Sequence, residues 1–144
     1  LAFRGTFDYS LDAKNRLTVP ARFRASLSDG VVLAKRVAGC VAMWRPDDYD
    51  AYMQAALERF HPMSPEAEQL ERFFSANSHD TELDAAGRVM VPSFLLDHAE
   101  LGKEVVVTGA GRCLEIWDRG AWQDYNAKLT QSVADITSRL GDAG

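Results

Sequence analysis

Apolar and polar residues alternate at the start of the chain. Phe3, Phe7, Tyr9 and Leu11 hold odd positions, and Arg4, Thr6, Asp8, Ser10 and Asp12 hold even ones. That is the pattern of a half-buried strand. Arg16-Leu17-Thr18-Val19 alternates likewise and predicts a strand returning across a hairpin. Ala13-Lys14-Asn15 lies between them. Such a three-residue loop ends in the left-handed region, which Asn tolerates. Asp12 and Arg16 would then flank the turn and face each other on its polar side. Pro20 extends the residue before it and suits the first turn of a short helix, with Phe23 and Leu27 inward and Arg22 outward. A second hairpin is expected over residues 31–36 and 41–45. Steps of three and four through Tyr49, Tyr52, Met53, Ala56, Leu57 and Phe60 predict an amphipathic helix. Another begins at Pro65, capped by Ser64, with Leu70, Phe73 and Phe74 inward.

The pattern then repeats. Leu11-Asp-Ala-Lys-Asn-Arg-Leu-Thr-Val-Pro20 returns as Leu83-Asp-Ala-Ala-Gly-Arg-Val-Met-Val-Pro92, at an offset of 72. After one inserted residue Cys40 matches Cys113, Trp44 matches Trp117 and Tyr52 matches Tyr125. This conserved order predicts a duplicated unit. Gly87 replaces Asn15, the exchange a left-handed turn position allows. The second copy predicts a hairpin over 104–108 and 114–117. Its closing helix carries Trp122, Tyr125, Leu129, Val133, Ile136 and Leu140 on one face, before a fraying tail from Gly141 to Gly144. The predicted organisation is a first unit over 3–60, a linking helix over 61–76 and a second unit over 77–140.

Composition narrows the class. The 144 residues suit one domain or two small units sharing a core, and 47% hydrophobic with 26% charged residues excludes a disordered chain. No apolar run approaches the ~20 residues of a membrane span. The opening residues lack the apolar segment of a signal peptide, and because Leu1 is not Met an altered or trimmed start is expected. Two cysteines, Cys40 and Cys113, exclude a disulfide scaffold and a four-cysteine zinc site and fit a reducing cytoplasm. The net charge of −5 is unevenly spread: residues 1–36 carry seven cations and three acids, and the remainder nine cations and eighteen acids. A basic contact surface on an acidic body is one reading, and chance alone is the other.

Catalytic chemistry is sparse. His61, His79 and His98 are neither paired nor at metal-ligand spacing, and no glycine loop cradles phosphate. Cys40 and Cys113 sit beside apolar residues in predicted strands and read as buried structural thiols. No enzyme, metal or cofactor is expected. What remains is Arg16, one residue past a turn, with Lys14 at the tip, Arg4 and Thr6 on the polar face, and Arg22 and Arg24 on the next short helix. A two-stranded ribbon fits the DNA major groove, where arginine bonds both guanine acceptors. Arg16 can equally pair with Asp12 across the turn, and the two roles are compatible.

Phe3-Arg4-Gly5-Thr6-Phe7, Asp12-Ala-Lys-Asn-Arg16-Leu-Thr-Val-Pro20-Ala-Arg-Phe23 and Asp84-Ala-Ala-Gly-Arg88-Val-Met-Val-Pro92 together resemble the MraZ family. The resemblance covers nearly the whole chain. It implies an α+β fold of two tandem AbrB-like swapped-hairpin units with peripheral helices. It also implies a ring-shaped homo-oligomer in the cytoplasm, associated with the nucleoid. The function it implies is a transcriptional regulator, commonly a repressor, binding direct repeats of double-stranded DNA in the promoter of its own division and cell-wall gene cluster. Arg16 and Arg88 become the expected DNA contacts, with Asp12 and Asp84 orienting them and Lys14, Arg4, Arg22 and Arg24 assisting. Neither a small-molecule substrate nor a membrane is expected.

The copies differ where DNA would be met. Asp80, Glu82 and Asp84 are expected beside Arg88, Met90 replaces Thr18, Ala86 replaces Lys14, and Phe94 and Leu96 replace Arg22 and Arg24. Acids repel phosphates, so the second hairpin is expected to be the poorer contact. A competing reading makes the chain an oligomeric protein-interaction module whose Asp-x-x-x-Arg motifs are structural. A cysteine-dependent hydrolase is a distant third, because no base is placed near either thiol.

Overall fold

A computed structural model describes residues 2–143 of the chain. Strand β1 (Thr6–Ser10) follows an isolated bridge between Phe3 and Gly111, and β2 (Arg16–Thr18) follows the first turn. Alternation buries Phe3, Leu11, Leu17 and Val19 and leaves Arg4, Thr6, Asp8 and Ser10 exposed, as expected. The segment after Pro20 forms two 3₁₀ turns, Ala21–Phe23 and Ala25–Leu27, with Phe23 and Leu27 buried. The expected second hairpin is β3 (Val31–Arg36) with β4 (Cys40–Trp44). The second unit repeats this with β5 (Ser78–Thr81), β6 (Arg88–Met90), β7 (Glu104–Gly109) and β8 (Leu114–Asp118). Its short segment is an α-helix, α3 (Ser93–His98).

The first hairpin is not a hairpin in its pairing. β1 leaves the turn and pairs antiparallel with β7 of the second unit, with Thr6 opposite Thr108 and Ser10 opposite Glu104. β5 does the same with β3 of the first unit, placing Val31 opposite Thr81. β2 and β6 pair with each other, Leu17 opposite Val89. The six-stranded sheet therefore runs β1-β7-β8-β4-β3-β5, beside a two-stranded ribbon of β2 and β6. Local alternation tells a strand which face to bury but not which partner to take. Leu17, Val19, Phe23 and Leu27 share one buried cluster with Val89, Val91, Leu95 and Val107, so the two units interlock around a common core.

The opposite face of the sheet carries Val32, Ala34, Ala42 and Trp44, covered by α1 (Pro46–Leu57) and α2 (Pro65–Ala76). Ser64 caps α2 as expected, its hydroxyl accepting from Ala67 N at 3.2 Å. Phe60 lies past the end of α1, where Pro62 prevents a continuous helix. The second unit has Asp135 at that place, and α4 (Arg119–Ala143) runs on without a break. The expected fraying at Gly141 is thus replaced by helix as far as Ala143; Gly144 lies outside the described residues. Arg119 pins the start of α4, its guanidinium donating to the Tyr9 carbonyl and pairing with Glu104, both at 3.1 Å.

Equivalent aromatic triads close each unit. Trp44 packs edge-on against Tyr49 and tilted against Tyr52, at 5.8 and 4.8 Å between ring centroids, and Trp117 packs tilted against Trp122 and Tyr125 at 5.4 and 4.6 Å. In the first unit Phe74 of α2 packs edge-on against Tyr49 and Tyr52. Among the described residues, no helix packs on the second triad as α2 packs on the first. Tyr125 and the stripe Leu129, Val133, Ile136 and Leu140 along α4 are exposed.

Candidate nucleic-acid interface

Each Asp-x-x-x-Arg segment builds the same turn. Asp12 N donates to the Arg16 carbonyl at 3.1 Å and Asn15 N to the Asp12 carbonyl at 2.9 Å. Asn15 takes a left-handed φ of 58°, and Gly87 one of 75°. Asp12 Oδ1 accepts from the backbone N–H of Lys14 and of Arg16, each at 2.9 Å, and its Oδ2 accepts from Arg16 Nε at 2.7 Å. Asp84 repeats every bond, with Ala86, Arg88 and Arg88 Nε as donors at 2.9 Å. The backbone N–H of the arginine, reinforced by its guanidinium, holds each aspartate below the usual carboxylate range.

The aspartate grips the Nε edge of the guanidinium. Among the described residues, no hydrogen bond engages the Nη nitrogens of Arg16. The planar fork is thereby fixed in orientation while its outer edge stays open to a ligand with two acceptors. One edge of the Arg16 guanidinium is thus bonded to Asp12, and the other carries no hydrogen bond among the described residues.

β2 and β6 bring the two turns together. Val19 N bonds to the Gly87 carbonyl and Val91 N to the Asn15 carbonyl, at 3.0 and 2.9 Å. Leu17 and Val89 point into the core, so Arg16, Thr18, Arg88 and Met90 share the outer face. Arg16 stands opposite Met90 and Thr18 opposite Arg88. Arg88 Nη1 lies 4.0 Å from Asp12 Oδ2, the carboxylate oxygen already bonded to Arg16. Both arginines thus belong to one surface.

Strand exchange redistributes the other expected residues. Lys14 is exposed at the tip of the first turn. Arg4 sits at the far end of β1 from that turn, against Gly109. Arg22 is exposed, its guanidinium 5.4 Å over the Phe7 ring. Arg24 is half-buried, donating from Nε to the Val19 carbonyl at 3.0 Å and lying across Gly87. Asp80 leaves with β5 to pair beside β3, just as Thr6 leaves with β1 to pair with β7, and only Asp84 of the three expected acids is ion-paired with Arg88. Sequence reasoning missed Lys103, which lines a groove beside the first turn with Leu11, Asp12 and Asn15. It comes from the second unit, and only the β1–β7 pairing brings it there.

The cysteines have a different setting. Cys40 opens β4 and Cys113 precedes β8, and both are buried. Burial pushes both thiols up, Cys113 to about 11, which disfavours the thiolate near neutral pH. Arg36 donates to Cys113 Sγ and pairs with Glu115 at 3.2 Å. Among the described residues no group of three or more histidine, cysteine or acidic side chains is placed to hold a metal, and no helix is long and apolar enough to cross a membrane.

Two segments of the chain, residues 2–73 and 74–143, each match the family model described as "MraZ protein". A protein of Heliobacterium modesticaldum named Transcriptional regulator MraZ is 34% identical over 140 residues, covering 97% of both chains. A protein of Alkaliphilus metalliredigens with that name is 34% identical over 142 residues, covering 99% of both. One from Dictyoglomus turgidum is 33% identical over 142 residues, with 97% of each chain covered.

Proposed function

The chain belongs to the MraZ family, and on that footing we propose that it is a sequence-specific DNA-binding transcriptional regulator, a repressor acting on direct repeats in the promoter of its own division and cell-wall gene cluster. The observation that carries this reading is the ribbon face, where two guanidiniums are held by Nε, that of Arg16 with its outer edge open and that of Arg88 with one Nη 4.0 Å from Asp12. A two-stranded ribbon is narrow enough to enter the major groove, and the fork of arginine matches guanine O6 and N7. Lys14 and Lys103 flank the face as phosphate contacts that steer without reading sequence. The protein acts in the cytoplasm, on the nucleoid, without catalysis.

One ribbon makes few phosphate contacts. A ring of identical subunits engages tandem repeats together, raising avidity by about 10²–10⁴. Exposed Tyr125 and the apolar stripe of α4 supply the surface for such assembly. The direct test is a gel shift with the region upstream of its own operon against shuffled DNA at fixed salt. Preferential retardation of the upstream fragment is expected. Equal binding to both would leave the competing module, in which the Asp-Arg bonds serve only the fold.

A further inference from the structure

The tandem chain is free to be asymmetric where a homodimer is not, and its ribbon face is asymmetric. The residues that build the ribbon are alike in both copies: Leu17 with Val89, Val19 with Val91, Pro20 with Pro92. The outward residues differ, Lys14 against Ala86 and Thr18 against Met90. Arg16 and Arg88 occupy one diagonal of the face, and Met90 and Thr18 the other. Met90 is 52% exposed and belongs to neither buried cluster of the described residues. Thr18, at the equivalent place, is half-buried and carries a hydroxyl.

An exposed thioether beside a guanidinium gains nothing from water. In a major groove it meets one apolar feature of its own size, the 5-methyl group of thymine. The side chain is unbranched and adaptable, so it can seat against that methyl while Arg16 holds a neighbouring guanine. Thr18, shorter and polar, offers the other end of the face a hydrogen bond instead. Resting on the DNA-binding reading above, we propose that Met90 is a specificity-determining residue that reads a thymine methyl beside the guanine taken by Arg16. Its mismatch with Thr18 gives the ribbon a direction, so that one ribbon reads a non-palindromic step and sits on the duplex in a single orientation.

The test uses the full-length protein and a duplex from upstream of its own operon, with each thymine replaced in turn by uracil. Uracil keeps every hydrogen-bonding group and lacks only the methyl. Affinity should fall about fourfold at thymines next to a contacted guanine and be unchanged elsewhere. Met90→Thr should abolish that thymine-against-uracil difference while keeping the preference for guanine. Met90→Leu should retain it. A role for Met90 in folding alone would lower stability without changing the uracil response. Failure of the wild-type protein to bind the fragment would overturn the DNA-binding reading and this proposal with it. Binding that ignores uracil at every position, or a Met90→Thr variant with undiminished thymine preference, would overturn this proposal alone.

Discussion

Replacing Arg16 by alanine removes a fork that is already aimed, and its loss should cost about 1–3 kcal/mol of base discrimination for each contact. Arg88 shares the face but is flanked by two carboxylates, Asp84 at 2.9 Å and Asp12 at 4.0 Å, while Asp12 is the one acid paired with Arg16 among the described residues. Arg88→Ala should therefore weaken binding measurably, though less than Arg16→Ala. Salt titrations on specific and random duplexes with assembly held constant measure both, and equal losses would show that the extra acid does not matter. The aspartates also set a pH limit. Their folded pKa values are depressed, so the turn is stabilised at pH above the ordinary aspartate value, and that support fades as pH falls through the lowered value. Because both aspartates stay ionised near neutrality, DNA binding measured against pH should be flat there and decline only on strong acidification. The buried thiols behave oppositely, being kept protonated. Thiol reagents should label the folded protein slowly at neutral pH, and Cys40→Val with Cys113→Val should leave DNA binding intact at a modest cost in stability. Rapid labelling would revive thiol chemistry.

At the scale of the element, the turns were legible in the sequence because everything that specifies them lies within five residues. Asp12 satisfies two backbone N–H groups, and Asn15 or Gly87 supplies the left-handed corner. The amphipathic helices were legible for the same local reason, down to the Ser64 cap. The strand partners were not legible in the local pattern, and only the family resemblance implied swapped hairpins. Ser10 meets Glu104 in the exchanged pairing, and an alternating strand is satisfied by any neighbour that buries its apolar face. This is also why the site was only partly legible: Arg16, Lys14 and the aspartates were evident, whereas the sharing of one face by Arg16 and Arg88 was not. Gly87 tests the turn. A Cβ there would meet Arg24, which is anchored on the Val19 carbonyl, in a backbone region that costs an L residue about 1–2 kcal/mol. Gly87→Ala should lower stability by at least that amount in denaturant melts. Adding Arg24→Ala should recover part of the loss, and strict additivity of the two would exclude the contact.

Over the whole molecule, exchange of β1 and β5 makes each unit incomplete alone. Residues 2–73 expressed by themselves should be unfolded as a monomer or fold only as a pair of chains. A stable monomeric half, seen by light scattering and amide dispersion, would contradict the shared core. The uncovered α4 stripe belongs to a larger scale still. Val133→Asp with Ile136→Asp should reduce the scattering mass toward that of one chain and leave the fold of residues 2–118 unchanged. An unaltered assembly would place the subunit contact elsewhere.

Joining the exchanged strands in one chain removes mass action from the formation of the ribbon. Two separate chains that swap strands come apart on dilution, because each must find the other. Here the partner strand is tethered, at an effective concentration that a linker typically sets in the millimolar range. β2 and β6 therefore meet however few copies a cell contains. Protein abundance then governs how many ribbons assemble together, while the integrity of each ribbon depends on folding alone.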